Sequence, residues 1–147
     1  MALRRLAVCS ILGAALLWAH PARAGSEASV GADFLVDDNA GGFLGTLALD
    51  TGLARHVTAG VRFGLFMESG PTRLGFPADL RIRFRVHRNV YIDGLAGPWV
   101  VFGGDQHLRF HAGIGAGVIL HRRVTLGAEL GYLDPSSMIG VRLGFAL

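Results

Sequence analysis

One turn is written three times in this 147-residue chain. Leu53-Ala54-Arg55-His56-Val57-Thr58, Val86-His87-Arg88-Asn89-Val90-Tyr91 and Leu120-His121-Arg122-Arg123-Val124-Thr125 share an order: an apolar residue, a spacer, Arg, a polar residue, Val, then Thr or Tyr. A fixed spacing of 33–34 residues (Arg55, Arg88, Arg122) marks a repeated supersecondary unit. Residues on both sides of each turn alternate between apolar and small or polar, so the unit is two strands and a tight turn. Repeated hairpins with like turns at one end predict an up-and-down β-barrel.

The first 24 residues stand outside this pattern. A basic start (Arg4, Arg5), an apolar run from Leu6 to Ala19 and the small residues of Ala22-Arg23-Ala24 read as a cleaved secretory signal peptide, too short to span a bilayer. Leu6-Ala7-Val8-Cys9 has Val where a lipoprotein box needs a small residue, and the Arg pair is the ordinary basic start, so neither lipidation nor twin-arginine export is expected. Residues 25–147 are read as one barrel domain. The chain's 14 basic residues are all Arg; without Arg4, Arg5 and Arg23 they fall to 11, against 11 acidic residues. The formal charge of +3 therefore belongs to the leader and gives no reason to expect nucleic acid. Cys9, the only cysteine, leaves with the leader, so no disulfide is expected.

Eight alternating segments follow: Ala28 to Val36, Phe43 to Asp50, Val57 to Met67, Leu74 to Val86, Val90 to Phe102, Leu108 to Leu120, Val124 to Leu133 and Met138 to Leu147. One face carries Val57, Val61, Phe63, Leu65, Met67, Leu80, Ile82, Phe84 and Val86; the other carries Arg, Asp, Glu, Thr and Gly. Turned inward, the apolar set would overfill an eight-stranded barrel. Turned to lipid, it forms a hydrocarbon band around a polar, glycine-rich lumen. The expected fold is all-β, an eight-stranded antiparallel up-and-down transmembrane β-barrel.

Registers set by loop length and apolar pattern place Arg83 opposite Asp93, Arg62 opposite Asp79, Glu68 opposite Arg73 and Glu129 opposite Arg142 on the inward face. Buried charges need partners, so a structural ion-pair network is expected in the lumen. The three repeated turns fall on the starting, periplasmic side. Connections 37–42, 69–72, 103–107 and 134–137 fall on the far side.

With signal peptide, strand number, alternation and an amphipathic last strand (Ile139, Val141, Leu143, Phe145, Leu147), the chain resembles the small eight-stranded outer-membrane barrels, the OmpA/OmpX-like family. The resemblance implies a cell outer-membrane location, assembly by the barrel-assembly machinery, contact with lipopolysaccharide and phospholipid, and a monomer. Trp99, Tyr91 and Tyr132 are the candidates for an aromatic girdle.

Candidate chemistry is sparse. His56, His87 and His121 share one rim, but adjacent turns lie two strands apart and lack a second close ligand, so neither a metal nor any other cofactor is expected. The Arg of those turns are expected to meet anionic lipid phosphates. Arg109 and His111 form a possible polar site in the lumen. His111 could act as a general base, yet Ser26, Ser29, Ser69, Ser136 and Ser137 lie mostly in loops or the first segment, without the His–Ser spacing of a lipid A deacylase. No enzyme is expected. Pro77 and Pro98, expected at or above the outer rim where strands loosen, are also candidates for a lateral seam between the fourth and fifth strands. Short outer loops argue against an adhesin, and a filled lumen against a general porin. The expectation is a structural or interaction role in the envelope. Its rivals are a narrow solute channel or carrier, a lipid-modifying enzyme and a soluble lipocalin-like barrel.

Overall fold

In the computed structural model, which describes residues 25–70, 72–103, 107–121 and 123–147, eight strands close into one antiparallel barrel. They are β1 (Gly25–Leu35), β2 (Ala40–Ala54), β3 (Val57–Ser69), β4 (Arg73–His87), β5 (Val90–Phe102), β6 (Leu108–His121), β7 (Val124–Leu133) and β8 (Ser136–Ala146). Each pairs with its neighbour in sequence, and β1 pairs with β8, so no strand edge is left unpaired. The proposed leader, residues 1–24, lies outside the described residues.

The alternation read from the sequence is the alternation of the wall. Leu65, Met67, Leu80, Ile82, Phe84 and Val86 point outward and are exposed, Leu80 by 67%. Arg62, Asp79, Arg81 and Glu129 point inward and are buried. This inverts the usual soluble pattern and follows from period-two geometry, which sends successive side chains to opposite faces.

The repeated turns are alike in detail. Arg55-His56 and Arg88-Asn89 are the two residues between paired positions Ala54 and Val57, and His87 and Val90, and the third copy pairs His121 with Val124 at the same spacing. Just before each turn the ladder skips one residue, Leu53, Val86 or Leu120. These are β-bulges, and they are the apolar residues that open each copy of the repeat. The second turn position then ties its hairpin to the next. The carbonyls of His56, Asn89 and Arg123 accept from the amides of Arg85, Ile119 and Ala146, each at 2.8 Å. The period thus encodes bulge, turn and inter-hairpin bond as one unit.

Three of the four expected charge pairs stand in register: Arg62 with Asp79, Glu68 with Arg73, and Arg83 with Asp93. The fourth does not. Glu129 lies opposite Gly140, and Arg142 opposite Gly127. The connection is only Asp134-Pro135, so Ser136 and Ser137 belong to β8 and shift it by two residues. An even shift keeps every side chain on its face. Arg142 therefore still points inward.

The prolines are also placed differently from expectation. Pro77 pairs with Trp99, and three more pairs follow it toward the rim: Phe76 with Val100, Gly75 with Val101, Leu74 with Phe102. Both prolines therefore lie within the sheet, below the rim. Pairing between β4 and β5 is interrupted at Ala78 and Asp79, opposite Pro98 and Gly97. Between β3 and β4 it is interrupted beside Pro77, from Phe63–Ala78 to Phe66–Gly75. A missing donor breaks each ladder locally, and the pairs on either side hold the closure.

Candidate functional site: an ion-paired lumen

Side chains from seven strands meet in the middle of the lumen. Asp79, on β4, collects four contacts. Arg62, on β3, donates through Nε at 3.0 Å and Nη2 at 2.7 Å to Oδ2. Trp99 Nε1, from β5, donates to Oδ1 at 3.0 Å, and His111 Nδ1, from β6, lies 2.9 Å from the same oxygen. Arg62 also reaches across to Glu129 on β7, with Nη1 2.7 Å from Oε2. Glu129 in turn lies 3.2 Å from His111 Nε2 and 3.4 Å from Arg142 Nη2, on β8. Arg142 completes the chain with Asp33, on β1, at 2.6 Å. Two guanidiniums and an imidazole thus face three carboxylates. Each long Arg fork spans two acids: Arg62 by hydrogen bonds to Asp79 and Glu129, and Arg142 as an ion pair to Asp33 and Glu129 that lacks hydrogen-bond geometry.

A second network lies nearer the repeated turns. Arg83 pairs in two-pronged fashion with Asp93, at 2.7 and 2.9 Å, and reaches Glu27 at 2.8 Å. Arg81 bridges Glu27, at 2.8 Å, and Asp50. The Arg83 guanidinium also lies 3.9 Å from the centre of the Tyr91 ring, a cation–π contact. Between the two networks remains a cavity of about 30 Å³, room for one or two waters.

Toward the opposite rim the lumen is apolar. Leu35, Leu44, Phe66, Trp99, Leu133 and Met138 form one buried cluster, with the Phe66 and Trp99 rings 5.3 Å apart. Above it sit Arg73 with Glu68, 3.5 Å apart, and Arg109 with Asp38, 3.6 Å apart. The polar lumen expected from the sequence is therefore only its turn-side part. A plug of large apolar side chains caps it.

Among the residues singled out in the sequence, Arg62, Asp79, Glu129, Arg142 and His111 come together, and Arg83 joins Asp93. Arg109 does not join His111; it belongs to the rim pair with Asp38. Two of the three girdle candidates are corrected as well. Trp99 is fully buried in the lumen and Tyr91 nearly so, whereas Tyr132 faces outward. Trp99 sits in the run Trp99-Val100-Val101-Phe102, whose composition hides its parity, but counting from Asp93 places it inward. Parity on β1, β2 and β4 likewise points to Glu27, Asp33, Asp50 and Arg81, which the pairwise registers had missed. His56, His87 and His121 all lie at the turn rim and are exposed; among the described residues no three His, Cys, Asp or Glu are grouped as a metal site.

Glycines on β6 and β7 make room for these side chains. Gly113 and Gly131 lie against His111 Nε2, where an added Cβ would come within 3.1 and 3.0 Å. Gly127 lies under the Tyr91 hydroxyl, with a corresponding distance of 2.9 Å.

No known family model matches the chain, and no curated protein matches it by sequence. Solved structures do match its fold. A de novo designed transmembrane β-barrel is 13% identical, covering 84% of this chain and 95% of that one, with a TM-score of 0.68. The Yersinia pestis outer-membrane protein Ail, in a phospholipid nanodisc, is 15% identical, covering 85% of this chain and all of Ail, with a TM-score of 0.58. A crystal structure of Ail with the heparin analogue sucrose octasulfate gives 15% identity, coverage of 87% and 100%, and a TM-score of 0.56. Inward charge, an outward apolar wall and these likenesses give one fold: the chain is an eight-stranded transmembrane β-barrel.

Proposed function

We propose that this protein is an integral outer-membrane barrel with a closed lumen and a structural or interaction role in the bacterial envelope. The observation that carries the reading is the cross-lumen network centred on Arg62, Asp79 and Glu129, capped by the Phe66–Trp99 cluster. It ties opposite walls together where a conducting barrel needs space. The protein inserts from the periplasm through the barrel-assembly machinery, as a monomer surrounded by phospholipid and lipopolysaccharide. It needs no cofactor. Its buried acid–base groups serve structure: the Asp79 carboxylate is fully engaged, and His111 is buried between two acids.

Single-channel recording in planar bilayers tests the closed lumen. Silence over long recordings is the expected result; steady unitary currents would favour a narrow solute channel instead. Lipid A and phospholipid profiles on overexpression test for lipid-modifying activity, with unchanged profiles expected.

A further inference from the structure

The repeated turns have a property that the barrel alone does not require. The β2–β3 turn and the end of the β4–β5 hairpin enclose a cleft of about 410 Å³ lined by Arg55, His56, Arg85, Val86, His87 and Arg88. Three of its six residues are Arg, two are His, and none is acidic. In the lumen, Arg62, Arg81, Arg83 and Arg142 all have carboxylate partners. Among the described residues, Arg55, Arg85 and Arg88 have none within 4.0 Å, and the turn-side acids Glu27, Asp50 and Asp93 are occupied by Arg81 and Arg83. The three cations are thus left facing a space without counter-charge.

We propose that this cleft binds a phosphate group, supplied by a phospholipid of the surrounding leaflet. The proposal rests on the outer-membrane reading above. Two further features favour it. The cleft is built: the Arg85 amide donates to the His56 carbonyl at 2.8 Å, and the bulge at Val86 brings Arg85, His87 and Arg88 to one opening. It also lies at the margin of the apolar band. Leu53, Phe84 and Val86 point outward beside it and are 55%, 48% and 62% exposed. A ligand with a phosphate on the cations and acyl chains along these side chains matches both surfaces. Guanidinium forks suit phosphate oxygens, which accept from several donors at once. Inorganic phosphate shares the headgroup chemistry but gains nothing from the apolar margin.

The test uses the complete exported protein in a maltoside detergent, which has no phosphate. Phosphatidylglycerol is titrated in and retained lipid is counted by native mass spectrometry. The wild type is compared with Arg55→Gln/Arg88→Gln and with Arg123→Gln, which removes a charge from the same rim at a different turn. Lipid retention is expected to weaken about tenfold in the double variant, the scale of lost charge-assisted hydrogen bonds, and to change less than about twofold in Arg123→Gln. Competition by inorganic phosphate decides the source. Displacement only at a large excess supports the lipid, and displacement at equal concentration would overturn it in favour of free phosphate. Equal retention in both variants would overturn the site. The substituted side chains are exposed, and heat-modifiable electrophoretic mobility verifies each barrel; should the double variant not fold, Arg88→Gln alone carries the comparison. A wild type that is soluble without detergent overturns the membrane reading, whereas a folded, detergent-bound barrel without lipid preference overturns only the cleft.

Discussion

The two walls of the lumen do different work. Strands β3 to β5 supply bulk: Arg62, Phe66, Asp79, Arg81, Arg83, Tyr91 and Trp99 all project inward. Strands β6 to β8 answer mainly with glycine, at Gly113, Gly115, Gly117, Gly127, Gly131, Gly140 and Gly144. Eight strands enclose too little space for large side chains from every direction. Most of the long side chains therefore come from one wall, and the other gives them a close backbone at its glycines. The glycine wall still carries large inward residues at a few points: His111 and Glu129 pair with the bulky wall, Arg142 with Asp33 and Glu129, and Leu133 and Met138 enter the apolar plug. Closure thus depends on asymmetry more than on a ring of equivalent residues.

The largest effect is expected where the two walls are tied. Asp79→Ala strands Arg62, the Trp99 indole N–H and His111 together, and should cost about 3–5 kcal/mol, the penalty for leaving buried charge unpaired. Equilibrium urea unfolding in lipid vesicles reads it; a loss below about 1 kcal/mol would show that the network is dispensable.

A smaller loss is expected when the glycine wall is thickened. Gly127→Ala drives a methyl against the Tyr91 hydroxyl and should cost about 1–3 kcal/mol in the same assay, as overpacking does. Gly94→Ala, which meets nothing nearer than 4.0 Å, is its control and should stay within about 0.5 kcal/mol. Equal losses at the two glycines would show that the close backbone under Tyr91 carries no packing constraint.

Trp99→Phe keeps the ring beside Phe66 but removes the donor to Asp79. It should cost about 1.5–3 kcal/mol, the value of one hydrogen bond to a charged group. The smallest effect concerns the prolines. Amide exchange should be faster at Ala78, Asp79 and Gly97 than at flanking paired positions, and Pro98→Ala should move stability by no more than about 0.5 kcal/mol. Protection across residues 76–100 equal to that of the other hairpins would rule out a lateral seam.

The fold was legible because one rule, alternation, governs every strand. The β5 and β7 spans match residue for residue, and the pairings Arg83–Asp93 and Arg62–Asp79 follow from short connections that leave little freedom of register. Asp134-Pro135 misled because a two-residue connection there looked like a four-residue loop once Ser136 and Ser137 were counted with it. The lumen was legible only pair by pair. Sequence neighbours across one hairpin can be aligned, but Arg62 reaching Glu129, four strands away, depends on how the sheet closes. The apolar plug was hidden for a different reason: Trp99 to Phe102 is apolar throughout, so hydrophobicity alone cannot say which residues face in. Parity from Asp93 can.

Every one of these effects depends on one placement: large apolar side chains outside, Trp99 inside. The chain of residues 25–147 has Trp99 as its single tryptophan. Its fluorescence in vesicles containing lipids with brominated acyl chains therefore tests the placement directly, with a Phe63→Trp/Trp99→Phe variant as the outward reporter. Trp99 emission is expected to be nearly unaffected by bromine while a tryptophan at position 63 is strongly quenched. Strong quenching of Trp99, or none at position 63, would contradict that placement.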